Sequence, residues 1–155
     1  MPKSPYEKAK TYAQRLIDYR PRSENELKNR LIDKGYDTHD IDRIIGDFKA
    51  QGLIDDKKFA RLWAGRRLQS SRQAPAVIRR ELLLKQVDKD IVEDAISRLS
   101  QDFNEEEAAG ELVDRRLKTL RGIDKNKARQ RLFGYLKRRG FSSTVIYRLL
   151  GEISN

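Results

Sequence analysis

The amino-acid sequence specifies an all-α protein of three tandem three-helix repeats, stacked and elongated. Three observations lead there. Apolar residues recur at spacings of three and four, which places them on one face of a helix, and no segment alternates with the period of two that a half-buried strand requires. The apolar pattern itself recurs, with offsets of 51 and then 54 residues. Charged residues make up 37% of the 155-residue chain, as much as the hydrophobic ones, which suits thin packing of amphipathic helices better than a deep core.

The repeat is anchored on Gly35-Tyr36, Gln86-Val87 and Gly140-Phe141. Before the anchors, Leu27 and Leu31 correspond to Ile78 and Leu82, then to Leu132 and Leu136. After them, Ile41, Ile45 and Phe48 correspond to Val92, Ile96 and Leu99, then to Ile146, Leu150 and Ile153. The first helix of each unit carries Tyr12, Ala13, Leu16 and Ile17, then Trp63, Ala64 and Leu68, then Leu112, Val113 and Leu117. The units are expected at residues 1–54, 55–103 and 104–155. No run of Pro, Gly and Ser separates them, so they are expected to stack with little slack.

Capping residues fall where this division needs them. Ser23 and Glu26 have the spacing of a capping box. Gly35 is suited to close the second helix in the left-handed conformation, with Tyr36 as the apolar contact that follows. Asp37, Asp88 and Ser142 share one repeat position and are suited to N-cap the third helices, as Asp55 and Asn104 are for first helices. Gln86 stands where the other units have Gly, and a left-handed conformation there costs about 1 kcal/mol. From first to second helix the spacing is 10 residues in two units but 15 in the third, from Leu117 to Leu132. With Arg121, Gly122, Lys125 and Lys127, that extra length reads as a longer basic loop.

Several function classes are disfavoured. Without cysteine there is no disulfide, thiol chemistry or cysteine-ligated zinc. No apolar run approaches the roughly 20 residues of a membrane span, and Met1-Pro2-Lys3-Ser4-Pro5 lacks the apolar stretch of a signal peptide, so a cytoplasmic address is expected. The single histidine, His39, lies in an acidic helix start and reads as solvent-facing. Asp55-Asp56 and Glu105-Glu106-Glu107 sit at helix N-termini, where acids favour the helix dipole. No phosphate-binding loop of the Walker type occurs. An enzyme is not expected, nor a cofactor or a metal.

The charge points to a polyanion. The net charge is +10, and residues 1–54 are nearly balanced, with 11 basic and 9 acidic side chains. From Lys57 to Arg80 eight basic residues run without an acid, and from Arg115 to Arg139 eleven are interrupted only by Asp124. Such concentration makes a stripe that suits nucleic acid, and arginine reads phosphates or carboxylates through a planar fork. Arg66, Arg67, Arg72, Arg79, Arg80, Arg115, Arg116, Lys118, Arg121, Lys137, Arg138 and Arg139 are the residues expected to bind there. Trp63, Tyr12, Phe59 and Phe133 fall at core spacing, whereas Tyr135, between Arg131 and Lys137, is a weak candidate for exposure and base stacking.

These residues also carry a family resemblance over essentially the whole chain. Tyr19-Arg20-Pro21-Arg22-Ser23, then Glu26-Leu27 and Gly35-Tyr36, resembles the first repeat of RecX proteins. Gly52-Leu53-Ile54-Asp55-Asp56 with Phe59-Ala60 is similar to that family's most recognisable segment. Arg72 through Ile78-Arg79-Arg80-Glu81-Leu82 resembles its second repeat, and Lys137 to Phe141 its third. The chain departs from the family pattern at Gln73-Ala74-Pro75-Ala76-Val77, at Lys85-Gln86, and at Leu83 and Leu84. The resemblance implies a curved, elongated molecule that lies along the RecA–DNA filament. It implies inhibition of RecA's ATPase and strand exchange, limited filament extension, and so negative control of recombination and of the DNA-damage (SOS) response, without a cofactor. Single- and double-stranded DNA are expected as weaker partners alone, and a monomer is expected because repeats bury their own faces. A general helical DNA-binding protein acting without RecA stays open as the alternative, since basic three-helix units also describe helix-turn-helix modules.

Overall fold

Most of the helices begin where a short polar side chain meets the free amides of a first turn. In the computed structural model, which describes residues 1–153, there are nine α-helices and, among the described residues, no strand. They are α1 (Pro5–Tyr19), α2 (Glu24–Asp33), α3 (Thr38–Ala50), α4 (Asp56–Ser70), α5 (Pro75–Leu84), α6 (Lys89–Ser100), α7 (Glu105–Leu117), α8 (Lys125–Arg138) and α9 (Ser143–Ile153). Asp37 accepts from the His39 amide at 2.8 Å, Asp55 from Lys58 at 3.1 Å, Asp88 from Asp90 at 2.9 Å, Asn104 from Glu107 at 3.0 Å and Ser142 from Val145 at 3.3 Å. All five are caps expected from the sequence.

Two local expectations need correction. Ser23 accepts from the Glu26 amide at 3.1 Å, but the Glu26 carboxylate turns to Arg20 and Arg22 instead of back to Ser23. The reciprocal capping box is at the start of α1, between Ser4 and Glu7, with Pro5 following the cap. The long basic loop is also shorter than expected. Asp124 caps α8 through the Lys127 amide, so Lys125 and Lys127 are helical and only residues 118–124 connect α7 to α8. Most of the extra length becomes one more helical turn.

The chain divides into two units, Met1–Trp63 with Glu81–Ala95, and Ala64–Arg80 with Ile96–Asn155. In unit 1, α1, α2 and α3 pack against one another around Ala9, Ala13, Leu27, Leu31, Ile41, Ile44 and Phe48, none with any exposed surface. Gly35, at φ +87°, ends α2, and the Tyr36 amide reaches back to the Leu31 carbonyl. In unit 2, α7, α8 and α9 pack likewise around Leu112, Val113, Leu132, Leu136, Phe141 and Ile146. Ile78, Leu82 and Val92 are fully buried at the corresponding positions of the second repeat.

One docking contact occurs once in each unit. In unit 1, Ser23 at the head of α2 is fully buried, and its hydroxyl donates to the Lys85 carbonyl at 2.5 Å. In unit 2, Ala74 occupies the corresponding position at the head of α5, and its amide donates to the Arg139 carbonyl at 2.7 Å. Lys85 and Arg139 are themselves repeat equivalents. The residue after each is left-handed, Gln86 at φ +64° and Gly140 at φ +89°. A Cβ on Gly140 would stand 2.6 Å from Val77 Cγ2, so this position excludes a side chain. Gln86 keeps one because Asn25 and Asn29 of α2 bond to its backbone and side-chain carbonyls, which offsets the left-handed conformation.

Candidate nucleic-acid-binding surface

All the net charge lies in one unit. Unit 1 holds 16 basic and 16 acidic side chains, and unit 2 holds 18 and 8. Every residue expected to contact a polyanion belongs to unit 2. Arg66 and Arg67 lie on α4, Arg72 on the connection to α5, and Arg79 and Arg80 on α5. Arg115 and Arg116 end α7, Lys118 and Arg121 follow it, Lys137 and Arg138 end α8, and Arg139 caps it. Arg66, Arg80, Arg115, Arg116, Lys118, Arg121, Lys137 and Arg138 are exposed, whereas Arg67, Arg72, Arg79 and Arg139 are half-buried.

Four of these arginines meet. Arg67, Arg72, Arg115 and Arg139 line a concavity of about 500 Å³, together with Ser71 and Tyr135. Ser71 positions two of them: its carbonyl accepts from Arg139 Nη1 at 2.7 Å, and its hydroxyl from Arg67 Nη1 at 3.0 Å. The Arg139 guanidinium also lies 4.5 Å from the centre of the Tyr135 ring, and that of Arg116 lies 5.1 Å from it. Arg72 has a left-handed backbone, φ +52°, and pairs with Glu111 at 2.8 Å. Tyr135 is therefore half-buried under two guanidinium groups, not free for a base. Arg80 and Lys137 line a second concavity with Gly140 and Ser142, and Arg121 borders an apolar one beside Leu120 and Ile123. The sequence did not single out Ser71; a lone serine outside a helix start carries no signal of its own.

Family models match in order along the chain: the RecX first three-helix domain over residues 9–48, the second over 55–96 and the third over 104–150. The chain belongs to the RecX family. The regulatory protein RecX of Amycolatopsis mediterranei is 32% identical over 97% of this chain and 86% of its own length, and that of Streptomyces lividans is 32% identical over 97% and 80%. The crystal structure of RecX from Lactobacillus salivarius has the same fold, with a TM-score of 0.76, 22% identity and 97% coverage of both chains. No helix among the described residues is long and apolar enough to cross a membrane.

Arg20, Arg22 and Glu26 form a structural clasp in unit 1. Arg22 is only 7% exposed and donates from Nε to the Leu16 carbonyl at 3.0 Å. Burial lowers its pKa first, and the Arg20 charge adds to that. Burial pushes the Glu26 carboxyl up, but its hydrogen bond from Arg20 and the charges of Arg20, Lys85 and Arg22 outweigh this and hold it below its usual range. Asp56 accepts from the Glu24 amide at 2.9 Å and so caps α2 from the next repeat. Burial pushes its carboxyl up, and the Glu24 amide only partly offsets this.

Proposed function

We propose that this protein binds the RecA–DNA filament and restrains RecA, slowing ATP hydrolysis, strand exchange and filament extension, and so restrains recombination and the DNA-damage response. The observation that carries the reading is the placement of the whole net charge of a RecX-family chain in unit 2, where four arginines converge. A filament offers phosphates and acidic protein surface together, whereas bare DNA offers phosphates alone. The basic side chains of unit 2 supply the attraction, and DNA by itself is the weaker partner. The protein acts from the cytoplasm, as a monomer, through binding and not catalysis, and residues 1–54, 55–103 and 104–155 are its successive modules.

The test pairs two titrations: ATP hydrolysis by RecA on single-stranded DNA, and binding to the same DNA without RecA. The reading expects slower hydrolysis and tighter binding to the filament, with added salt weakening both interactions because phosphate contacts release counterions. The decline with salt is shallower for the filament, where protein–protein contacts share the energy. Equal affinity for both ligands, with unchanged hydrolysis, would favour a general DNA-binding protein that works without RecA.

A further inference from the structure

Guanidinium groups repel one another, so several of them facing one cavity is an arrangement that an anion completes. Unit 2 has that arrangement, with Arg67, Arg72, Arg115 and Arg139 around about 500 Å³. We propose that this concavity is a built site for the phosphodiester backbone of single-stranded DNA, held by these four guanidinium groups and read without regard to base. The inference rests on the DNA-binding part of the function proposed above and names the site at which that binding is strongest.

Preorganisation separates the pit from an ordinary basic surface. Ser71 fixes Arg139 through its carbonyl and Arg67 through its hydroxyl, and the Tyr135 ring supports Arg139 from the side. Side chains already held in place lose little rotamer freedom when an anion arrives. Arg72 is held at a left-handed φ, a conformation that persists for a bulky side chain only where its surroundings impose it. Its partner Glu111 is half exposed, and exposed pairs of this kind are weak, so a phosphate accepting a two-pronged guanidinium contact can displace it. Arg115 is exposed, with no ion-pair partner among the described residues, and stands ready as a further ligand.

The same geometry argues for backbone over base. Base stacking needs an open aromatic face, and Tyr135, the one ring lining the pit, is engaged by Arg116 and Arg139. What the pit offers is charge and N–H donors, which match the non-bridging oxygens of a phosphodiester.

The experiment measures binding of the full chain to a labelled oligothymidylate by fluorescence anisotropy over a range of salt. Arg67→Gln with Arg115→Gln removes two charges from the pit. Lys125→Gln with Lys127→Gln removes two from the first turn of α8, where cations oppose the helix dipole and the fold loses nothing. The proposal expects the pit pair to weaken binding by about tenfold or more, as charge-assisted hydrogen bonds predict. It also expects the slope of log affinity against log salt to flatten by about 0.7 for each phosphate no longer neutralised, and the α8 pair to change affinity by at most about twofold. Arg115→Gln alone, at an exposed position that cannot disturb folding, gives the same direction at smaller size. An oligothymidylate with methylphosphonate linkages should bind the intact protein as poorly as the normal strand binds the pit pair. Equal weakening by the two pairs would overturn the site and leave general DNA binding standing. A pit pair that binds DNA normally but no longer slows RecA's ATP hydrolysis would overturn the DNA site and give the pit to protein carboxylates. An intact chain with no affinity for DNA would overturn both the site and the DNA-binding reading beneath it.

Discussion

Gly35, Gln86 and Gly140 occupy one repeat position, and the two glycines answer differently to substitution. All three are left-handed, but a Cβ added at Gly140 would meet Val77 Cγ2 at 2.6 Å, whereas Gly35 has open space around it. Gly35→Ala should therefore lose about 1–2 kcal/mol from backbone strain alone, and Gly140→Ala a further 1–3 kcal/mol, roughly, from overpacking; thermal melts of the two variants check the order. Glu26 makes stability depend on pH. Because its folded pKa is depressed, its contribution is present above the ordinary carboxylate range and is lost as pH falls through the folded value. Asp56, raised by burial, has the opposite sign: its contribution is present at low pH and is lost as pH rises through its folded value. Glu26→Gln should flatten the fall in melting temperature on acidification, and an unchanged acid profile would remove the clasp from the stability of unit 1. At this scale the sequence showed the caps but not the partners. Glu26 has the capping-box spacing behind Ser23, yet two arginines closer to its carboxylate outbid the Ser23 amide, and spacing carries no information about that competition.

Helices were legible because amphipathic periodicity is a local property. Leu31, Leu82 and Leu136, aligned from sequence as one repeat position, are each fully buried. Truncation to Ala at any of them should destabilise by about 2–5 kcal/mol, measured by denaturant unfolding, and three neutral substitutions would contradict the repeat alignment. Element ends were less legible. Arg121, Gly122, Lys125 and Lys127 read as a basic loop, but Asp124 supplies an acceptor for the Lys127 amide and starts α8 seven residues before Leu132. The sequence contained that cap; the density of lysine and arginine around it concealed it. Nor did periodicity reveal that the heads of α2 and α5 dock on the carbonyls of Lys85 and Arg139, because these bonds join residues more than sixty positions apart.

Across the whole molecule, charge is separated more sharply than the sequence runs suggested. The basic run from Lys57 to Arg80 looked like one feature, but Lys57, Lys58 and Arg61 belong to unit 1, where acids cancel them, and the rest belong to unit 2. In the proposed function unit 2 carries the inhibitory surface, so ATP hydrolysis by RecA on single-stranded DNA should respond to charge there, and it is titrated with the intact protein and two charge reversals. Arg115→Glu with Arg116→Glu alters exposed side chains of unit 2, and Lys3→Glu with Lys8→Glu makes the same change in exposed side chains of unit 1. With circular dichroism melts confirming that both variants fold, the first should lose inhibition and the second should keep it. Equal inhibition by both variants and the intact chain, or an equal drop in both, would contradict the assignment of the inhibitory surface to unit 2.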